Sequence, residues 1–363
     1  MILSIAPARY EPETISPPGA TIRDMLDDLQ MSQVELARRM GRPKNKLNHI
    51  IQGKRAITAD TALELERVLG LPASFWLSRE QNYRLALCRQ SRELPQQADE
   101  ELVKRFPYAE MAKLGWVVAT RKLPVRISEL LNFFRVANLA QLAEIGDLAP
   151  SFRKSQVKKA SPEALAVWLR RGMVAATAVS VERFHKYDVR LRLAELRNLT
   201  ATTREQPQQR LQELCAELGI AVVFVPHLPQ TYVGGAAYWL NSPPKVPVIQ
   251  LSYRFRTNDH FWFNFFHELG HILLHSPQET WLDDFSQDQS QHEAEANQFA
   301  SDTLISPTDY ESLLARNYRS QEVVERFAGE VGIAPAIVVG RLQREKLLPP
   351  DWHNGVKFNI DVL

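Results

Sequence analysis

The chain has 363 residues, enough for two or three domains with hydrophobic cores. It is 45% hydrophobic and 24% charged, and its net charge of +2 excludes a strong overall attraction for nucleic acid. Its two cysteines, Cys88 and Cys215, form no CxxC pair, which argues against a thiolate metal site or a disulfide framework. The sequence shows neither a secretory signal pattern nor an apolar run of membrane-spanning length, so we expect a cytoplasmic protein with no membrane partner.

The N-terminal part is predicted to be an arm followed by a small helical domain. Residues 1–19 are rich in proline and lack periodicity, so we expect an extended arm. Residues 20–80 predict five short helices with apolar inner faces. Ser32 and Thr58 are placed to cap the second and fourth helices, and Gly70 to end the fourth.

A tight turn containing Gly41 joins the second and third of these helices, which predicts a helix-turn-helix. The third helix would read DNA, because its outward side chains can bond base edges or phosphates. The predicted DNA contacts are Gln33, Lys44, Asn45, Lys46, Asn48, His49, Lys54 and Arg55. Alternatively, these side chains form only the solvated face of a helical bundle.

Two segments carry a family resemblance: "IIQGKRAIT" (residues 50–58) and "FWLSREQNY" (residues 75–83). They resemble the XRE-type helix-turn-helix of HigA-like antitoxins. The resemblance implies binding to double-stranded operator DNA, as a homodimer on a palindromic site. Pro43 departs from the family pattern, which usually has a small capping residue there. Proline is tolerated in a first helical turn, so we expect the helix to form.

The chain changes character twice after residue 80. Residues 81–205 are predicted to be a mostly helical middle region, whose many arginines suggest a solvated face or a second nucleic-acid surface. Residues 206–310 predict a helix, three strands and a further helix that contains HELGH. Helix, small sheet and HExxH in this order are typical of zincin-like metallopeptidases.

The HELGH segment predicts a metal site. In a helix, His267 and His271 lie four residues apart on one face, so both imidazoles can bind one ion. Glu268 lies about 100° further round the helix, where it can reach a water instead. Zinc lowers the pKa of a bound water, and a glutamate can take its proton. This arrangement predicts one Zn²⁺ ion, with Glu268 as the catalytic base.

A catalytic zinc site needs a third protein ligand, and the segment "HEAEANQFA" (residues 292–300) offers one. We favour Glu293, because it shares a helix face with Ala296, Ala300 and Asn297. The alanines would let this helix approach the metal helix, and Asn297 could accept a hydrogen bond from a ligand imidazole. Glu295, His292 and His275 are the alternatives.

The sequence offers several candidates for the group that would stabilise the reaction's oxyanion. Peptide cleavage needs a group that stabilises the oxyanion, and the candidates are Tyr232, Tyr238, Tyr253 and His275.

Residues 311–363 predict a C-terminal helical segment that is shaped like a helix-turn-helix. Because the inner positions of its second helix are apolar, we expect this segment to pack rather than to bind DNA.

The segments "VIQLSYRFRTNDHFWFNFFHELGHILLH" (residues 248–275) and "HEAEANQFASDTLISP" (residues 292–307) together resemble the ImmA/IrrE family of zinc metallo-endopeptidases. In that family the glutamate of an E-x-x-A-[ND]-x-F-A segment is the third ligand, which implies Glu293 here. Relatives with a HigA-like domain in front are bacterial or phage regulators beside toxin–antitoxin, prophage or stress-response genes. The resemblance implies a helix-turn-helix repressor or a toxin as protein substrate.

The sequence therefore predicts a mainly α protein with a small β-sheet (α+β) and two candidate functions. The first is a DNA-binding transcriptional regulator with a zinc metallo-endopeptidase domain that cleaves a partner regulatory protein. The second is an antitoxin-like repressor whose zinc domain is a sensor or scaffold with little or no proteolysis.

Overall fold

The computed structural model of the chain describes residues 16–92, 97–145, 160–201, 207–252, 254, 257–276, 281–283 and 291–360. The chain divides into two compact units, residues 1–96 and 97–363. Most of the predicted N-terminal arm, residues 1–15, lies outside the described residues. In the part that is described, every helix is too short or too polar to span a lipid bilayer.

The described residues of the N-terminal unit form five helices, as the sequence predicts. They are α1 (Pro18–Asp28), α2 (Gln33–Arg39), α3 (Lys44–Ile51), α4 (Ala59–Leu69) and α5 (Ala73–Arg92). Their apolar faces meet in one core, in which Leu36, Leu47 and Trp76 are almost fully buried. The hydroxyl oxygens of Ser32 and Thr58 accept backbone N–H groups three residues on, at 3.1 and 3.4 Å, which confirms both predicted caps.

Two predicted boundaries of this unit are wrong. Helix α1 begins at Pro18, inside the predicted arm, because proline is well suited to a first helical turn. Helix α5 continues to Arg92, past the predicted boundary at residue 80. Its sequence contains neither glycine nor proline between residues 73 and 94, so no residue stops the helix at the predicted place.

The described part of the C-terminal unit begins with helices and continues into a sheet. The helices are α6 (Gln97–Arg105), α7 (Tyr108–Lys113), α8 (Leu123–Phe134), α9 (Pro162–Ala176), α10 (Lys186–Leu191), α11 (Leu193–Asn198) and α12 (Pro207–Glu217). Three strands follow: β1 (Ala221–Phe224), β2 (Gly235–Leu240) and β3 (Val246–Leu251). The remaining elements are α13 (Asn258–Leu274), β4 (Trp281–Asp283), α14 (Gln291–Leu304), α15 (Pro307–Leu314), α16 (Gln321–Val331) and α17 (Pro335–Arg344). Short 3₁₀ turns lie at Leu139–Glu144, Leu199–Ala201 and Asn354–Val356.

The sheet is four-stranded, with the order β1-β3-β2-β4. Strand β3 is parallel to β1 and antiparallel to β2, and β2 is also antiparallel to β4. The three longer strands confirm the sequence prediction. Strand β4 falls in an acidic, serine- and glutamine-rich stretch that predicts only a loop, because three residues are too few to show an alternating pattern.

Helices cover both faces of this sheet. On one face, Ala237 and Ile249 share a core with Phe265 of α13. On the other face, Trp168 of α9 packs among strand residues, and its Nε1 donates to the carbonyl oxygen of Val225 at 3.1 Å. Helix α13 is therefore buried against one face of the sheet, and α9 packs on the opposite face.

The domain boundaries predicted at residues 205/206 and 310/311 do not separate compact units in the structure. Helix α9, which belongs to the predicted middle region, supplies core residues to the sheet of the predicted peptidase domain. At the C-terminal end, Phe327 of α16 and Val338 of α17 share the core of Phe265, so this segment packs as expected. Residues 97–363 therefore form one compact unit instead of three.

Replacing Gly172 by alanine should lower the free energy of unfolding by about 1–3 kcal/mol, the usual cost of overpacking. A Cβ at Gly172 on α9 would lie 1.7 Å from Oε1 of Gln250. Gln250 is fully buried and bonded to Trp168 and Tyr238, so it cannot swing aside. Urea unfolding of the full chain measures the change.

A matched control is Gly329→Ala in α16, where nothing lies within 4 Å of an added Cβ. Alanine favours a helix more than glycine does, so this variant should gain about 0.5–1 kcal/mol. If Gly172→Ala were as stable as the parent chain, the close approach of α9 to the sheet would be refuted.

Candidate metal centre and candidate nucleic-acid interface

Helix α13 carries the HELGH residues in the interior of the C-terminal unit. Phe265 and Phe266, just before them, are fully buried. His267 and His271 are only 2% and 1% exposed. Their Nε2 atoms lie 3.0 Å apart. The four-residue spacing thus brings the two imidazoles together as predicted.

Helix α14 brings a carboxylate to the same point. Oε2 of Glu293 lies 3.2 Å from Nε2 of His267 and 3.7 Å from Nε2 of His271. In a tetrahedral zinc site with bonds of about 2.0–2.1 Å, neighbouring ligand atoms are about 3.3 Å apart. The separations in this protein bracket that value, so the three donors fit one zinc ion. Within the described residues, this is the one group of three such side chains whose donor atoms converge.

The protonation states also suit a metal. Burial lowers the pKa of His271 to about 4, which leaves its imidazole neutral at pH 7. Burial alone would raise the pKa of Glu293, but hydrogen bonds with His267 and His271 hold that pKa well below its ordinary value. A neutral imidazole and an ionised carboxylate are the forms that bind a metal ion.

Glu295, the competitor of Glu293, lies away from the three converging donors. Its Oε2 is 3.1 Å from Nε2 of His275, and its Oε1 accepts from Nε2 of Gln291 at 2.8 Å. The hydrogen bond from Gln291, followed by that from His275, lowers the pKa of Glu295. Glu295 therefore holds His275 rather than completing the metal site.

His275 lies directly behind His271, and its side chain is only 3% exposed. The Nδ1 atoms of the two rings are 2.9 Å apart. Because its other nitrogen faces Glu295, both ring nitrogens are engaged. His275 is therefore corrected from a candidate ligand or oxyanion stabiliser to a partner of His271. His292, another alternative ligand, is exposed and packs edge-on against His275, with ring centroids 4.7 Å apart.

The structure also corrects the role predicted for Asn297. Its Oδ1 accepts a hydrogen bond from Nη2 of Arg344 at 2.7 Å, instead of one from a ligand imidazole. The guanidinium of Arg344 lies over the ring of Phe263, 4.0 Å from its centroid. Asn297 therefore links α14 to α17, a contact that the local helix pattern of "HEAEANQFA" does not reveal.

Glu268 of α13 is fully buried where this helix faces the beginning of β2. A Cβ at Gly235 would lie 2.5 Å from Oε1 of Glu268. The strand can begin beside this carboxylate only because residue 235 lacks a side chain. Glu268 adjoins His267 in sequence but projects from a different side of the helix, so it does not join the three converging donors.

Tyr238 does not fit the predicted role of oxyanion stabiliser, because its side chain faces away from α13. Side chains alternate along β2, so Tyr238 and Gly235 point to opposite faces of the sheet. Tyr238 packs in the core of Trp168. Its hydroxyl donates to Oε1 of Gln250 at 3.0 Å.

Two oxyanion candidates are left from the sequence. Tyr232 is 39% exposed, and the guanidinium of Arg254 lies 4.7 Å from its ring centroid. Its role stays a prediction. Tyr253 lies outside the described residues.

Helix α3 of the N-terminal unit has one buried face and one solvent-facing side. Leu47, Ile50 and Ile51 are buried in the core. The predicted DNA contacts all reach the surface: Lys44, Asn45, Lys46, His49, Lys54 and Arg55 are exposed, and Gln33 and Asn48 are half-buried. The backbone N–H groups of residues 54 and 55 donate to the carbonyl of His49 at 2.9 and 3.1 Å, which keeps the loop beside the helix end. Pro43 precedes α3 without interrupting it.

The metal-free protein should lose stability as the pH falls from about 6.5 towards 4. Burial sets the pKa of His271 at about 4 in the folded chain, whereas the ordinary value of 6.5 applies when the chain unfolds. Between these values the unfolded state binds a proton that the folded state excludes, so acid favours unfolding by up to about 3 kcal/mol. His275, whose pKa burial also lowers, acts in the same direction.

Urea unfolding of chelator-treated protein across this pH range measures the slope. His271→Asn removes one of the two titrating groups and should reduce the pH dependence, leaving the contribution of His275. An equally steep slope in that variant would mean that other groups cause the acid sensitivity.

Two family models match the chain. Residues 22–76 match a helix-turn-helix family, and residues 215–343 match the IrrE N-terminal-like domain of the Peptidase_M78 family. The second match contains all three converging donors and Glu268.

Known proteins are similar to part of the chain. It is 31% identical over 91 residues to Virulence-associated protein I of Dichelobacter nodosus, which covers 25% of this chain and 84% of that protein. It is 33% identical over 69 residues to the uncharacterised helix-turn-helix transcriptional regulator YddM of Escherichia coli K12, covering 19% and 73%. A solved addiction module antidote protein of the HigA family from Coxiella burnetii is 33% identical over 21% of this chain and 85% of that chain, with a TM-score of 0.21. The chain therefore combines an XRE-like helix-turn-helix domain at residues 22–76 with an ImmA/IrrE-like Peptidase_M78 domain at residues 215–343.

Proposed function

We propose that this chain is a DNA-binding transcriptional regulator with a zinc-dependent endopeptidase, which cleaves a partner regulatory protein. The observation that carries the proposal is the convergence of His267, His271 and Glu293 beside Glu268. The helix-turn-helix domain in the same chain gives the peptidase a regulatory setting. A cytoplasmic location stays part of this proposal.

The two histidines would hold zinc through Nε2, and Glu293 through its carboxylate. Three protein ligands leave one position open, as in catalytic zinc sites. Bound zinc would supply a Lewis acid that makes water more acidic and polarises a peptide carbonyl. Glu268 would accept the proton of the attacking water and pass it to the leaving amine.

The substrate that fits this proposal is a regulatory protein such as a helix-turn-helix repressor or a toxin. Strand β4 ends the sheet order beside β2, whose first residue adjoins Glu268. An extended peptide could add to such a terminal strand through main-chain hydrogen bonds.

The proposed DNA target is a palindromic operator bound by a homodimer. Support comes from the exposed polar and basic side chains of α3 and from the similarity to a transcriptional regulator. Asn45 and Asn48 could read base edges, whereas Lys46, Lys54 and Arg55 would bind phosphates.

Glu268→Gln should reduce peptidase activity by about 100-fold or more, the usual contribution of a general base. The assay incubates zinc-loaded full-length protein with purified proteins encoded by neighbouring genes, and mass spectrometry identifies new termini. Zinc content should stay at one ion per chain, because Glu268 is not a proposed ligand.

Glu293→Gln is the companion variant, and it should lose both zinc and cleavage. Glu325→Gln on α16 controls for neutralising an exposed glutamate elsewhere. If the zinc-loaded parent cleaves none of these proteins but binds operator DNA tightly, the alternative of a repressor with a sensor or scaffold zinc domain replaces this proposal.

Lys46→Ala should weaken binding to DNA from the promoter of its own gene. Removing one phosphate contact should also reduce the slope of log affinity against log salt by about one. Fluorescence anisotropy at several salt concentrations measures both effects. Arg67→Ala, an exposed arginine on α4 outside the predicted contact set, should leave them unchanged. Salt-independent binding, or equal effects of the two variants, would contradict DNA reading by α3.

A further inference from the structure

Next to the candidate metal centre, three side chains of α13 and α14 form a hydrogen-bonded series that begins at His271. Nδ1 of His271 lies 2.9 Å from Nδ1 of His275, and Nε2 of His275 lies 3.1 Å from Oε2 of Glu295. The chain runs from the buried interior outward, since the side chains of His271 and His275 are 0% and 3% exposed and that of Glu295 is 42% exposed.

Only one arrangement of protons is consistent with metal binding by His271. If its Nε2 lone pair points to the metal, its proton must be on Nδ1, which then donates to Nδ1 of His275. His275 must in turn carry its own proton on Nε2, which donates to the carboxylate of Glu295. Each nitrogen along the chain therefore has a defined role.

We propose that His275 and Glu295 are positioning residues that fix the tautomer and ring orientation of His271 and thereby set the affinity of the centre for zinc. In most zinc sites a carboxylate or a backbone carbonyl accepts the proton of the ligand imidazole directly. Here a second imidazole stands between the ligand and the carboxylate. This inference rests on the proposed zinc site.

The other ligand histidine is held differently. Within the described residues, Nδ1 of His267 is buried and has no hydrogen-bond partner. The hydrogen-bonded chain therefore orients one of the two imidazoles, and the loss of that chain should act mainly through His271. Glu295 is itself held by Gln291, whose Nε2 donates to the other carboxylate oxygen at 2.8 Å.

Competition with a chromophoric chelator for Zn²⁺ tests the inference on full-length protein. His275→Phe keeps a ring but removes the acceptor, and it should weaken zinc binding by about 10–100-fold. Glu295→Gln keeps an acceptor oxygen but loses the charge, so its effect should be smaller. His275→Asn should recover part of the affinity, because its amide oxygen can occupy nearly the position of Nδ1.

Two further measurements separate positioning from a merely structural role. Urea unfolding of each metal-free variant should remain cooperative, which shows that the variant folds, and the partial recovery of zinc affinity in His275→Asn should not depend on how stable that variant is. Glu325→Gln is the matched control. Like Glu295, Glu325 is solvent-accessible, and its Oε1 accepts a hydrogen bond from Nε2 of the glutamine four residues earlier, at 2.7 Å. It should bind zinc like the parent.

The failure of the inference and the failure of the proposed function have different signatures. If the parent binds no zinc, the proposed zinc centre is wrong. If the parent binds zinc and His275→Phe and Glu295→Gln bind it equally tightly, the positioning role is refuted. Should His275→Phe fail to fold, His275→Asn and Glu295→Gln still decide the outcome.

Discussion

The meeting of two imidazole nitrogens with one carboxylate oxygen is the constraint on which the C-terminal unit depends. The donor atoms of His267, His271 and Glu293 lie 3.0 to 3.7 Å apart, with both imidazoles buried and the Glu293 side chain 18% exposed. Placing an ionised carboxylate and two polar rings there costs free energy unless they are paired. Hydrogen bonds offset part of that cost in the metal-free chain, and a bound cation would satisfy all three groups at once.

The surrounding fold serves to fix those three side chains. Helix α13 is enclosed by the sheet, by α14 and by the C-terminal helices α16 and α17. Ala296 and Ala300 are fully buried, which lets α14 run close to α13 and brings Glu293 within reach of both imidazoles. A site whose side chains are locked by packing needs little rearrangement to bind its ion. Helix α9 contributes at a distance, because it holds the opposite face of the sheet.

How much the sequence predicts depends on whether a feature is local. The spacing of HELGH places His267 and His271 on one face, and the caps at Ser32 and Thr58 follow from their immediate neighbours. The roles of Asn297 and Tyr238 could not be derived in this way. Asn297 meets Arg344 from a helix much later in the chain, and Tyr238 points away from α13 because side chains alternate along β2. Likewise, the pairing of His275 with Glu295 requires knowing how α13 and α14 pack.

Anomalous diffraction at the zinc edge, from crystals of the zinc-loaded full-length protein, would locate the metal and its ligands. We expect one strong peak about 2.0–2.2 Å from Nε2 of His267, Nε2 of His271 and a carboxylate oxygen of Glu293. Glu268 should lie outside bonding distance of that peak. A peak bound by His275, His292 or Glu295 in place of these ligands, or no peak in the C-terminal unit, would refute the proposed three-ligand zinc site.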